Sequence, residues 1–112
     1  MSRRSVQGSK GAPARCWFRL TPSGPDGTAT LDGEIDASNA HGLAIALGEL
    51  ADETAGRVCL DVASLDFIDA AGLRALAEVA SACAERGGRL ELDNLRPLHA
   101  RMLAACGDLE LV

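Results

Sequence analysis

From residue 28 the chain alternates strictly, with Ala29, Leu31, Gly33 and Ile35 separated by Thr28, Thr30, Asp32 and Glu34, the period of two that gives a strand one apolar face. Cys16-Trp17-Phe18-Arg19-Leu20 reads as its partner strand, and Pro22, Gly24, Pro25 and Gly27 supply the turn of a hairpin. Beyond residue 36 the period lengthens. Leu43, Leu47 and Leu50 recur at steps of four and three, which predicts a helix capped by Asp36 or Ser38. Gly42 and Gly48 soften it by ~1 kcal/mol each relative to Ala. Val58-Cys59-Leu60-Asp61-Val62 lacks strong alternation and predicts a central strand covered by helices on both faces.

Asp69 is placed to cap a second helix, whose inward stripe would be Leu73, Leu76, Ala77, Ala80, Cys83 and Ala84, and Gly87-Gly88 stop it. Leu90 and Leu92 alternate with Arg89, Glu91 and Asp93 in a further strand. Pro97 suits the first turn of a third helix, with Leu98, Met102 and Ala105 facing inward and Gly107 closing it. Leu109 to Val112 follows as a last short strand or an apolar tail. The order of elements implies one α/β domain, with a mainly parallel mixed sheet of four to five strands, about three helices and right-handed crossovers.

Composition narrows the function more than the fold. A chain of 112 residues that is 47% hydrophobic fits one domain and can build a core without disulfide or metal staples. Residues 1 to 15 carry Arg3, Arg4, Lys10 and Arg15, no acid and almost no large apolar side chain, and are expected to be a flexible basic tail ahead of a domain at 16–112. Removing those four bases leaves seven against 16 acids, a body near −9. With Trp17, Phe18 and Phe67 as its aromatics and no Tyr, that body lacks the cationic footprint and stacking platforms of a nucleic-acid binder. No stretch approaches the ~18 apolar residues of a membrane span, so no direct membrane insertion and a cytoplasmic location are expected.

Candidate chemistry is sparse. Cys16, Cys59, Cys83 and Cys106 lie 43, 24 and 23 residues apart without a Cys-x-x-Cys pair, and are read as reduced, mostly buried thiols. His41 and His99 sit in no catalytic or metal-binding frame and are read as surface helix residues. No glycine-rich loop is followed by the Lys-Ser/Thr pair of a phosphate cradle. Asp66 and Asp69 are spaced as in many turns, and capping is sufficient work for Asp69. The expectation is a protein that is not an enzyme and uses no cofactor or metal. The informative stretch runs from Leu60 to Leu73: a buried strand, an apolar connection anchored by Phe67 and Ile68, and a partly exposed helix start. Loops at the carboxyl ends of parallel strands are where α/β proteins usually place their sites.

Leu31-Asp32-Gly33-Glu34-Ile35-Asp36, Leu60-Asp61-Val62 followed by Phe67-Ile68-Asp69-x-x-Gly72-Leu73, and Gly87-Gly88-Arg89-Leu90 carry a family resemblance. Over roughly residues 16 to 112 the chain resembles the STAS family, the domain shared by sulfate transporters and anti-sigma factor antagonists. The resemblance implies a non-enzymatic protein-binding module in bacterial transcription regulation. Antagonists of this type bind an anti-sigma factor kinase, release the sigma factor, and are switched off by phosphorylation of a serine directly after the aspartate that starts the second helix. Here Ala70 follows Asp69, and Ala71 follows Ala70, so no phosphorylation is expected at the family position. The implied partner surface comprises Asp36, Asp66, Asp69, Ala70, Ala71, Gly72, Leu73 and Arg74. The alternative is a constitutive STAS subunit of a transporter assembly, such as a lipid-transport ABC complex. Antagonists of the family usually continue past the 107–109 region into a final helix, so a less covered sheet face and a weak homodimer or an obligate partner contact at the C-terminal edge are further expectations.

Overall fold

The computed structural model describes residues 6–7, 17–106 and 110–111. A short strand β1 (Val6–Gln7) is followed by the hairpin β2 (Phe18–Pro22) and β3 (Thr28–Ile35), then α1 (Ala40–Glu53), β4 (Arg57–Asp61), β5 (Leu65–Ile68), α2 (Ala70–Glu85), β6 (Arg89–Asp93), α3 (Pro97–Cys106) and β7 (Glu110–Leu111). The hairpin is antiparallel, pairing Phe18 with Gly33 and Leu20 with Leu31. Gly33 has a φ of +113°, and a Cβ there would collide with the Trp17 carbonyl, so glycine is what lets the two strands close. β1 pairs with the outer edge of β2 and falls within the 1–15 stretch expected to be a tail. The other residues of that stretch lie outside the described ones.

The sheet runs β1-β2-β3-β4-β6-β7, with β5 beside the second half of β3. The pairs β3–β4, β4–β6 and β6–β7 are parallel. Each crossover steps in the same direction along the sheet. Right-handed crossovers of one sense place α1, α2 and α3 on a single face. Burial agrees: Leu43 and Leu47 of α1, Leu73, Leu76 and Cys83 of α2, and Leu103 of α3 pack with Leu31, Ile35, Leu60 and Leu92 of the strands. The opposite face of the sheet carries no helix among the described residues.

This layering corrects the expectation for β4. Its Val58 and Leu60 are buried, but Arg57 is exposed and Cys59 and Asp61 are half-buried, so the strand alternates and is covered on one face only. The body of the sheet is the five strands β2 to β6, to which β1 and β7 add two residues each. β5 takes the place of the expected apolar connection: Ile68 pairs with Ile35, and Phe67 with Glu34.

One helix cap and two helix faces also differ from expectation. The residue ahead of α1 is Asn39, not Asp36 or Ser38, and its side chain makes no capping bond to the helix. In α2 the buried stripe is Gly72, Leu73, Ala75, Leu76, Val79 and Cys83, and Ala84 is exposed. In α3, Leu98 is 60% exposed whereas His99 is 4% exposed. Leu103 faces the core, and residues four apart share a helix face, so position 99 turns inward with it and position 98 outward. His41 is exposed as expected, Cys59 is half-buried and Cys83 buried. The expectations for Cys16, the Ala105 and Cys106 side chains, and Gly107 fall outside what is described.

Candidate functional site

The two parallel strands β3 and β5 end side by side at Ile35 and Ile68, and each hands directly on to an aspartate. The Asp69 amide donates to the Ile35 carbonyl at 3.1 Å, so the strand pairing extends one residue into the start of α2. Asp69 has extended backbone angles, its Oδ1 accepts from the Gly72 amide at 3.1 Å, and its carbonyl accepts from Leu73 at 2.9 Å. It is thus the helix cap read from the sequence, satisfying an amide that would otherwise be orphaned. Gly72 is buried over the Ile35 and Ile68 side chains, and Leu73 is buried in the core. Ala70 is exposed at the first helical position, Ala71 is half-buried, and Arg74 is exposed one turn further on.

Asp36 organises the neighbouring turn. Its Oδ1 accepts from the Ser38 amide at 2.8 Å and from the Ser38 hydroxyl at 2.5 Å, and this work leaves neither residue to cap α1. Asn39, 3% exposed, locks the turn from below. Its Oδ1 accepts from the Asp36 amide at 2.9 Å and its Nδ2 donates to the Glu34 carbonyl at 2.9 Å. Asn39 was not singled out in the sequence. The signal for it was the Asp36-x-Ser38-Asn39 string, a pattern in which short polar side chains fold back on the backbone.

Asp36, Asp69 and the 70–74 turn are therefore brought to one end of the sheet, where α1 and α2 begin. Between the helices lies a shallow groove of about 230 Å³, floored by Ala40, Ala44, Ala71 and Ala75 and edged by His41, Arg74 and Glu78. Asp66 is drawn away from this group. Its carboxylate meets the Arg96 guanidinium at 3.3 Å, and the same guanidinium donates to the Ala63 carbonyl, so Asp66 ties the β4–β5 turn to the approach of α3.

The hydroxyl–carboxylate pair at this end, Ser38 with Asp36, is a turn contact that Asp36 also makes to the Ser38 amide. Among the described residues no group of three His, Cys, Asp or Glu is placed to hold a metal ion. Another hollow, about 390 Å³, is on the helix-free face around Cys59, with Arg57, Arg89 and Glu91 in its wall. Burial, followed by the nearby acids Glu91 and Asp93, pushes the Cys59 thiol up, and burial does the same to Cys83. Neither sulfur is held as the thiolate that redox or nucleophilic chemistry needs. No helix among the described residues is long and apolar enough to cross a membrane. What the site offers is a rigid helix start, a narrow alanine-floored groove and one exposed arginine: a surface for contact.

Known proteins resemble this chain in sequence and in fold. The family model described as Mlab, STAS domain, matches residues 19–110. BtrV of Bordetella bronchiseptica, assigned as an anti-sigma factor antagonist, is 38% identical over 86 residues, covering 75% of this chain and 73% of BtrV. Among solved structures, the murine solute carrier 26 family member A9 anion transporter in its inward-facing state superposes with a TM-score of 0.53 at 15% identity. That match covers 92% of this chain but 18% of the transporter chain, and it is a likeness of fold.

Proposed function

Since the chain belongs to the STAS family and is anti-sigma factor antagonist-like within it, we propose that it is a non-enzymatic regulatory module that binds an anti-sigma factor kinase or a related regulator. The contact surface is the sheet end built by Asp36 and Asp69, the exposed turn from Ala70 to Arg74 on its buried Gly72 and Leu73, and the groove beside it. Asp66 serves this surface indirectly, by holding the β4–β5 turn to Arg96. The observation that carries the reading is the capped, tightly seated start of α2, which presents Ala70 and Arg74 outward at the end of two parallel strands.

The binding is constitutive with respect to this turn. A phosphate at the position after Asp69 would add a charge of about −1.5 to −2 to an interface fitted to the neutral form and would repel the partner. Ala70 offers no oxygen to receive it. Incubation with ATP and the anti-sigma factor kinase of the same genome, followed by peptide mass spectrometry, should leave residues 69–72 unmodified, while an Ala70→Ser variant gains phosphate there. Phosphate on Ser38, Ser64 or Ser81 of the wild type that abolished binding would overturn constitutive docking.

The lack of an acceptor equally suits a second reading, a STAS subunit fixed in a transporter assembly, where permanent attachment is the useful property. Adjacent kinase or sigma-factor genes favour the first reading, and adjacent permease and ATPase genes the second.

A further inference from the structure

Two of the chain's three aromatic rings stand exposed on the face of the sheet that carries no helix. Trp17 is 47% and Phe67 46% exposed. Their neighbours Phe18 and Ile68 point inward to the helices, and side chains alternate along a strand, so Trp17 and Phe67 point outward. Glu34 lies between them. Its amide donates to the Trp17 carbonyl at 2.8 Å, and it pairs in register with Phe67 on the other side. Glu34 alternates with the buried Ile35 and shares the outward face.

Neighbouring strands are about 4.8 Å apart, so the two rings rise from backbones roughly 10 Å apart with a carboxylate between them. That gap admits a flat cation with a ring at van der Waals distance on each side. The Glu34 carboxylate makes no hydrogen bond or ion pair among the described residues. On the outward face Asp32 stands two residues before Glu34 and pairs in register with Arg19, Asp61 and Asp93 lie further back along the sheet, level with Thr30, and Arg96 is held by Asp66. Arg57 and Arg89 lie at the other end of their strands. The site is therefore aromatic at two points with the Glu34 carboxylate between them.

We propose that Trp17, Glu34 and Phe67 form a docking site for an arginine side chain presented by a partner protein. A guanidinium is planar, stacks on aromatic faces and ion-pairs with a carboxylate, so it uses all three groups at once. The site faces away from the groove between α1 and α2, and both surfaces can be engaged together. It goes beyond the α2 surface and does not depend on it.

Trp17 is the chain's one tryptophan and reports directly on the site. The full chain is titrated with the blocked tripeptide acetyl-Leu-Arg-Leu-amide and with its neutral analogue carrying citrulline, following Trp17 emission. The arginine peptide should shift the emission saturably and bind about tenfold more tightly than the citrulline peptide, the loss of one interaction near 1.4 kcal/mol. Glu34→Gln should abolish that preference, Phe67→Ala should weaken the arginine peptide, and Arg74→Glu should leave it unchanged. Equal response to the two peptides, or none to either, overturns the proposal. So does an emission shift driven by protein concentration alone, which would make a second copy the occupant, or by phosphatidylcholine vesicles in preference to the arginine peptide, which would make it lipid.

Discussion

Gly72 sits over Ile68 so closely that a Cβ on the glycine would stand 2.5 Å from Ile68 Cγ1, with Ile35 Cγ2 at 2.8 Å behind it. Both isoleucines are buried, so they have little room to yield. Gly72→Ala gains helix propensity but overpacks this contact, and it should destabilise the fold by about 1–3 kcal/mol. Urea denaturation measures it; an unchanged or higher midpoint would mean that the first turn of α2 is loosely seated.

The Asn39 side chain is predicted to matter more than its lack of a capping bond suggests. Asn39→Ala removes the side-chain bonds to the Asp36 amide and the Glu34 carbonyl and should cost about 1–3 kcal/mol. Asn39→Asp keeps an acceptor for Asp36 but has no donor for Glu34, and should fall between wild type and alanine in thermal unfolding.

Much of this was legible in the sequence, and the misses have physical causes. The β3 alternation, the leucine spacing of α1 and the Asp69 cap are local signals and appear where they were expected. β5 was hidden because its Asp66-Phe67 pair breaks the alternation within only four residues, and its partner is the distant β3. Cys59 reads as apolar and so predicts two covers for β4, yet the common sense of the crossovers leaves its outward side open. In α3 the apolar character of Leu98 outweighed His99 in the reading, although helix geometry with Leu103 decides the inward face. At the candidate site the Asp69 cap is a local signal, whereas the diversion of Asp66 to Arg96 and the bracing of Asp36 by Asn39 depend on tertiary contacts.

Burial, and then the Arg96 charge, hold the His99 imidazole below its ordinary value of 6.5. The unfolded chain therefore takes up this proton first as the pH falls. Stability should be full above about pH 6.5, decline below it, and level off once the folded form is also protonated. Urea titrations between about pH 7 and pH 5 should show a smaller loss for His99→Gln than for wild type. Parallel profiles would mean that His99 is neutral and charged with equal ease in the fold.

Constitutive docking through the start of α2 can be read by calorimetric titration with the anti-sigma factor kinase of the same genome, with and without ATP. Wild type should bind in both conditions. Arg74→Glu should bind about tenfold or more weakly while its stability stays within about 0.5 kcal/mol of wild type, as expected of an exposed position. Equal binding by Arg74→Glu would place the contact elsewhere, and release of the wild type by ATP would mean that docking is switched.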